Sequence, residues 1–110
     1  MPAIDHYASV QAWREDYIRH WGPDDPGLAR KLATLQEFCQ FVGKDPDTVV
    51  GECLRAVEDG KRIRLKARRR YIEAIREFEA QHEKGRTAGN AVRSFFIHNG
   101  IAMSADVPGL

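Results

Sequence analysis

Apolar residues recur at steps of three and four along nearly the whole 110-residue chain, and no segment of useful length alternates with a period of two. That spacing places apolar side chains on one face of an α-helix, so the chain has to bury several helical stripes against one another. Glycine and proline cut the pattern into pieces of helical length. A first helix is expected over about Tyr7 to Trp21, with Val10, Trp13, Tyr17 and Trp21 as an aromatic stripe that either completes the core or meets a neighbouring protomer. "GPDDPG" then breaks the chain, and Asp25 before Pro26 has the form of an N-cap followed by proline at the first helical position.

A second helix is expected from Pro26 to Val42, ended by Gly43, with Leu28, Leu32, Leu35, Phe38, Cys39 and Val42 inward. Asp45–Pro46 repeats the cap signal and opens a third, with Val49, Val50, Cys53, Leu54 and Val57 inward and Gly60 closing it. The fourth and longest runs from Lys61 to Glu83, ended by Gly85. Thr87 is placed to cap a short fifth helix reaching Asn99, with Ala91, Val92, Phe95 and Phe96 as core and Gly100 at its C-terminal turn. The expected fold is therefore all-α, a compact bundle of four or five helices. At this length it is read as residues 1–24, an N-terminal helical extension, 25–101, the main helical domain, and 102–110, a tail or linker.

Charge is distributed unevenly. The net charge is +1, but residues 1–59 hold 11 acids against 6 bases, whereas residues 60–110 hold 11 bases against 5 acids. "KRIRLKARRR", residues 61–70, concentrates seven cations with no acid. On a helical wheel Ile63, Ala67, Tyr71, Ala74, Ile75 and Phe78 form the core face, while Arg62, Lys66, Arg69, Arg70 and Arg76 share the opposite arc. Arg64 and Arg68 fall toward the core side. Like charges three and four apart, at the positive end of the helix dipole, oppose the helix by a few tenths of a kcal/mol (~0.3) per pair. A polyanion would offset this; a solvated face or an acidic protein partner are the other readings. In the last helix Arg86, Asn90, Arg93 and Ile97 share a face, and Thr87 is either a phosphate donor or a plain N-cap.

No acid/base or nucleophile constellation is present, so no enzymatic activity is expected. Cys39 and Cys53 sit in apolar patterns, as buried reduced thiols or, less simply, a disulfide or metal pair. His6, His20, His82 and His98 show no ligand spacing, so neither a metal site nor a cofactor is expected. No apolar run reaches membrane-spanning length and no secretory signal is visible, which points to a cytoplasmic protein, nucleoid-associated when bound to DNA.

The stretches "LARKLATLQEFCQFVGKDPDTVV", "RRRYIEAIREFEA" and "AVRSFFIHNGI" together resemble the N-terminal core-binding domain of tyrosine recombinases, the phage-type integrases. Leu32, Leu35, Phe38 and Gly43 match the family's helix ending at glycine. Lys44, Asp45 and Pro46 match its turn, and Ala91, Val92, Arg93, Phe95 and Phe96 match its last helix. Gly27 and Lys31 stand where the family often has Thr or Ser and an aromatic. The resemblance implies a SAM-like helical domain that clamps duplex DNA, a catalytic domain in the same parent chain, and protomer contacts in a recombination complex. On this reading the DNA-binding residues are Arg62, Lys66, Arg69, Arg70, Arg86, Thr87, Asn90 and Arg93, with Arg30 and Lys31 at the start of the second helix.

Overall fold

The computed structural model describes residues 4–22, 27–57 and 60–103. A 3₁₀ turn at Ile4–His6 leads into α1 (Ala8–Trp21), followed by α2 (Gly27–Val42) and α3 (Pro46–Cys53). Then come a short hairpin, β1 (Leu54–Val57) and β2 (Gly60–Ile63), α4 (Leu65–Gln81) and α5 (Arg86–His98). The all-α bundle expected from periodicity is what forms, with five α-helices among the described residues.

α5 is the centre of the bundle. It packs against α1, α2 and α4 and buries Ala88, Gly89, Ala91, Val92, Phe95 and Phe96. Ala88, Gly89 and Ala91 are small, which lets neighbouring helices come close, while Phe95 and Phe96 fill the space between them. Trp13 meets Phe95 edge-on at 5.7 Å, Phe38 meets Phe78 at 5.4 Å, and Tyr71 lies 5.6 Å from Phe96. Val10, Trp13 and Tyr17 are buried in this same core, so α1 is an integral wall of the bundle. The stripe stops short of Trp21, which is 68% exposed.

Three helix ends follow their sequence signals closely. Asp45 caps α3 by accepting from the Thr48 amide at 2.7 Å, with Pro46 in the first turn. After α2 and α5, the amides of Lys44 and Ile101 return to the carbonyls of Cys39 and Phe96, the six-to-one bond of a helix C-terminus ending in glycine. The Asp25–Pro26 cap lies outside the described residues. α1 is capped from elsewhere. Tyr7 supplies no side-chain bond, and Asp47 of α3 accepts from the Ala8 amide at 3.3 Å, the Ser9 amide at 2.8 Å and the Ser9 hydroxyl at 2.6 Å.

The structure corrects the sequence reading between residues 54 and 64. The third helix ends at Cys53, and the fourth starts at Leu65 rather than Lys61. Between them the chain forms an antiparallel hairpin with Leu54 opposite Ile63 and Val57 opposite Gly60. Gly60 therefore opens a strand and does not close a helix, and a short period-two segment exists after all. One force favours the hairpin: removing Lys61 and Arg62 from α4 relieves the like-charge pair Arg62–Lys66 at the positive end of the helix.

The wheel survives from Ala67 onward: Ala67, Tyr71, Ile75 and Phe78 are buried and Ala74 half-buried. Arg64, expected toward the core, is instead the exposed N-cap of α4. Arg68 does lie half-buried, its Nε donating to the Ala102 carbonyl. Two further boundaries move. α4 ends at Gln81 and Gly85 serves as N-cap of α5, so Thr87 lies inside that helix and makes no capping bond.

Candidate nucleic-acid interface

α2 and α5 begin side by side. Between their first turns lies a concavity of about 520 Å³ lined by Gly27, Arg30, Lys31, Thr34, Lys84, Thr87, Ala88, Asn90 and Ala91, with no acid among the described lining residues. Four of the sequence-expected residues meet here: Arg30 and Lys31 from α2, Thr87 and Asn90 from α5. Neither helix has an acid in its first turn, and no side chain caps α5. Two positive helix ends and three cations therefore converge on one place, an arrangement suited to an anion. Lys84 was not among the sequence candidates. It precedes the helix, and only the packing of α5 on α2 brings it beside Arg30. Arg86 is exposed at the first position of α5 but does not line the concavity.

Lys31 is held rather than free. Its Nζ donates to the Tyr17 hydroxyl at 3.2 Å and lies 5.1 Å from the ring centroid, so the ammonium rests on an aromatic face. Arg93 has a different role. Its guanidinium makes a two-pronged pair with Glu79 of α4 at 2.7 and 3.0 Å, with both side chains mostly buried, and Nη1 also donates to Asn90 Oδ1 at 3.0 Å. It ties α4 to α5 and steadies Asn90 at the edge of the concavity.

A second basic concavity, about 820 Å³, lies under the hairpin and is lined by Glu52, Arg62, Ile63, Arg64, Leu65, Lys66, Ala67 and Arg70. Arg62 reaches it from β2, while Lys66 and Arg70 reach it from α4. Arg69 is exposed on α4 outside it. Among the described residues none of Arg62, Lys66, Arg69 and Arg70 belongs to an ion pair. The one acid among the described lining residues, Glu52, is engaged inward. Lys44 Nζ donates to both its oxygens at 2.8 and 3.0 Å, and the Tyr71 hydroxyl also donates to it. Those two contacts hold the Glu52 carboxyl below its usual range, while burial and that hydrogen bond push the Tyr71 phenol up. Glu52 is thus bound to Lys44 and Tyr71, with Arg70 adding a weaker attraction from the same hollow.

Both thiols are buried and free, as expected for reduced cysteines. Burial pushes Cys39 up to about 12 and Cys53 to about 11, far from nucleophilic ionisation. One cluster escaped sequence reasoning. Asp16 and His20 of α1 and His98 of α5 bring a potential ligand atom each within 4.8 Å of one another. His98 is 82 residues from its partner, so only the i,i+4 spacing of Asp16 and His20 was visible beforehand.

No protein-family model matches the chain, no curated protein matches it in sequence, and no solved structure matches it in fold.

Proposed function

We propose that this chain is a duplex-DNA-binding module that grips the phosphate backbone, of the kind that serves a site-specific recombinase. The observation that carries the reading is the junction of α2 and α5, where Arg30, Lys31 and Lys84 gather at two helix starts with no acid among the described lining residues. Phosphate oxygens are the natural ligands of such a junction. Arg62, Lys66, Arg69 and Arg70 add a second patch, and their mutual repulsion falls when a polyanion lies against them. The resemblance to recombinase core-binding domains supports duplex DNA as that polyanion. Its matching residues Leu35, Phe38, Ala91, Val92, Phe95 and Phe96 are all buried, in keeping with their role as packing positions.

The test is anisotropy of a labelled duplex at low salt. Arg30→Glu with Lys84→Glu, and separately Lys66→Glu with Arg69→Glu, should each weaken binding by roughly tenfold or more while the fold is retained. Equal affinity in all three proteins removes the proposal.

A second reading rests on a separate observation. Trp21 is 68% and Ile97 48% exposed, and both line a shallow surface with Tyr17 and Lys31. An exposed tryptophan beside an apolar residue suits a protein partner, with the basic residues as rim. In that case the Lys66→Glu, Arg69→Glu protein keeps its partner, and Trp21→Ala loses it.

A further inference from the structure

We propose that Asp16, His20 and His98 form a binding site for Zn²⁺ that staples α1 to α5, whatever the fate of the DNA-binding reading. The donor set is two imidazole nitrogens and one carboxylate oxygen, a combination that zinc takes readily and that magnesium or calcium does not. Asp16 and His20 are four apart, so they share one face of α1. His98, in the last turn of α5, completes the set from across the helix pair. The His20 and His98 rings lie with centroids 5.9 Å apart, and one ligand atom from each of the three side chains lies within 4.8 Å of the other two. Ligand atoms around a tetrahedral zinc are about 3.3 Å apart for bonds of 2.0–2.1 Å. Binding therefore draws the three ligand atoms together from a spacing of up to 4.8 Å.

Two further features favour an ion here. First, the backbones that carry the ligands are already fixed. One turn away Trp13 and Phe95 interlock, Trp13 Nε1 donates to Ser94 Oγ at 3.1 Å, and Asn99 Nδ2 bridges the Ser9 and Phe95 carbonyls at 3.1 and 2.9 Å. An ion binding here therefore has little backbone to order. Second, His20 is already oriented. Its Nδ1 lies 2.8 Å from the Asp16 main-chain carbonyl, which only accepts, so Nδ1 donates there and Nε2 is the nitrogen left to face an ion. A histidine anchored through one nitrogen to a carbonyl or carboxylate is the usual arrangement in zinc sites. His98 Nδ1 contacts the Asp16 carboxylate directly, a contact that an ion would take over. Arg19, 3.3 Å from Asp16, is the one competing cation, and it is 73% exposed and readily displaced. His20 faces solvent, which leaves the fourth position to water.

The experiment is titration of the intact chain with Zn²⁺ by calorimetry, paired with thermal unfolding at each metal level. Binding at one site per chain with a rise in Tm is expected. His20→Gln, at an exposed position that does not endanger the fold, should weaken binding by more than roughly tenfold and abolish the Tm rise. His98→Gln should do the same, and His6→Gln should change neither. Co²⁺ in place of Zn²⁺ should give a visible spectrum without a thiolate-to-metal charge-transfer band. No heat and no Tm shift in the wild type, undiminished binding in His20→Gln, or a thiolate band that assigns the ion to Cys39 or Cys53 would each overturn the proposal.

Discussion

The carboxylate of Glu79 occupies the space over Gly89 where any β-carbon would have to stand, and Arg93 holds it there with two hydrogen bonds. The contact locks α4 onto α5 directly behind the basic junction. Gly89→Ala gains about 1 kcal/mol of helix propensity. It also drives the carboxylate off and leaves Arg93 mostly buried without its partner, a loss on the order of 3 kcal/mol. The loss wins, so urea unfolding should show net destabilisation of about 1–2 kcal/mol. In a Glu79→Ala background the obstacle is gone, and the same glycine substitution should stabilise by up to about 1 kcal/mol. The sign change between backgrounds is the diagnostic result.

Asp47 should matter to α1, a helix to which it does not belong. It accepts three hydrogen bonds from Ala8 and Ser9, and Asp47→Ala should cost about 1 kcal/mol, as loss of a cap does. Burial alone would raise its carboxyl, but the Ser9 and Ala8 bonds outweigh that and hold it below the usual range. The folded value lies below the unfolded one, so its contribution is fully present above about pH 3.9 and fades as pH falls through the lowered folded value. The stability gap between wild type and Asp47→Ala should accordingly narrow in acid and stay constant from pH 5 to 7 (about two units of plateau).

The buried thiols predict silence toward thiol reagents. Cys39 and Cys53 are wholly buried and their ionisation is pushed to about 12 and 11, so labelling at neutral pH should follow global unfolding. Rapid labelling of folded protein would contradict the packing of α2 and α3 described above.

Much of the fold was legible because its signals are local. The α1, α2 and α5 stripes, the Asp45 cap and the glycine ends of α2 and α5 each depend on residues within a turn or two. The hairpin was missed because its strands are four residues each, too short for alternation to outweigh the helical pattern on either side. Gly60 was the available clue, since a glycine after an apolar run fits a strand start as well as a helix stop. At Gly60 φ is +131°, so Gly60→Ala should weaken the hairpin by on the order of 1 kcal/mol, seen as loss of amide protection in the strands.

The candidate site was legible by residue type and not by grouping. Charge alone selected Arg30, Lys31 and Arg93 alike, yet only packing shows that Arg30 faces an open concavity, Lys31 rests on Tyr17 and Arg93 is bound to Glu79. The same holds for the split of the basic run, where Arg62 stands on a strand and Lys66 and Arg70 on a helix while all three line one hollow. Tertiary placement of this kind leaves no trace in spacing.

The most direct measurement is the salt dependence of duplex binding by the intact chain. If three to five of these cations neutralise phosphates, log K against log salt should fall with a slope of roughly −3 to −4.5. The slope should lose about one unit for each contacting cation removed from the α2–α5 junction, starting with Arg30→Ala. A slope near zero, or no binding at low salt, would contradict the account.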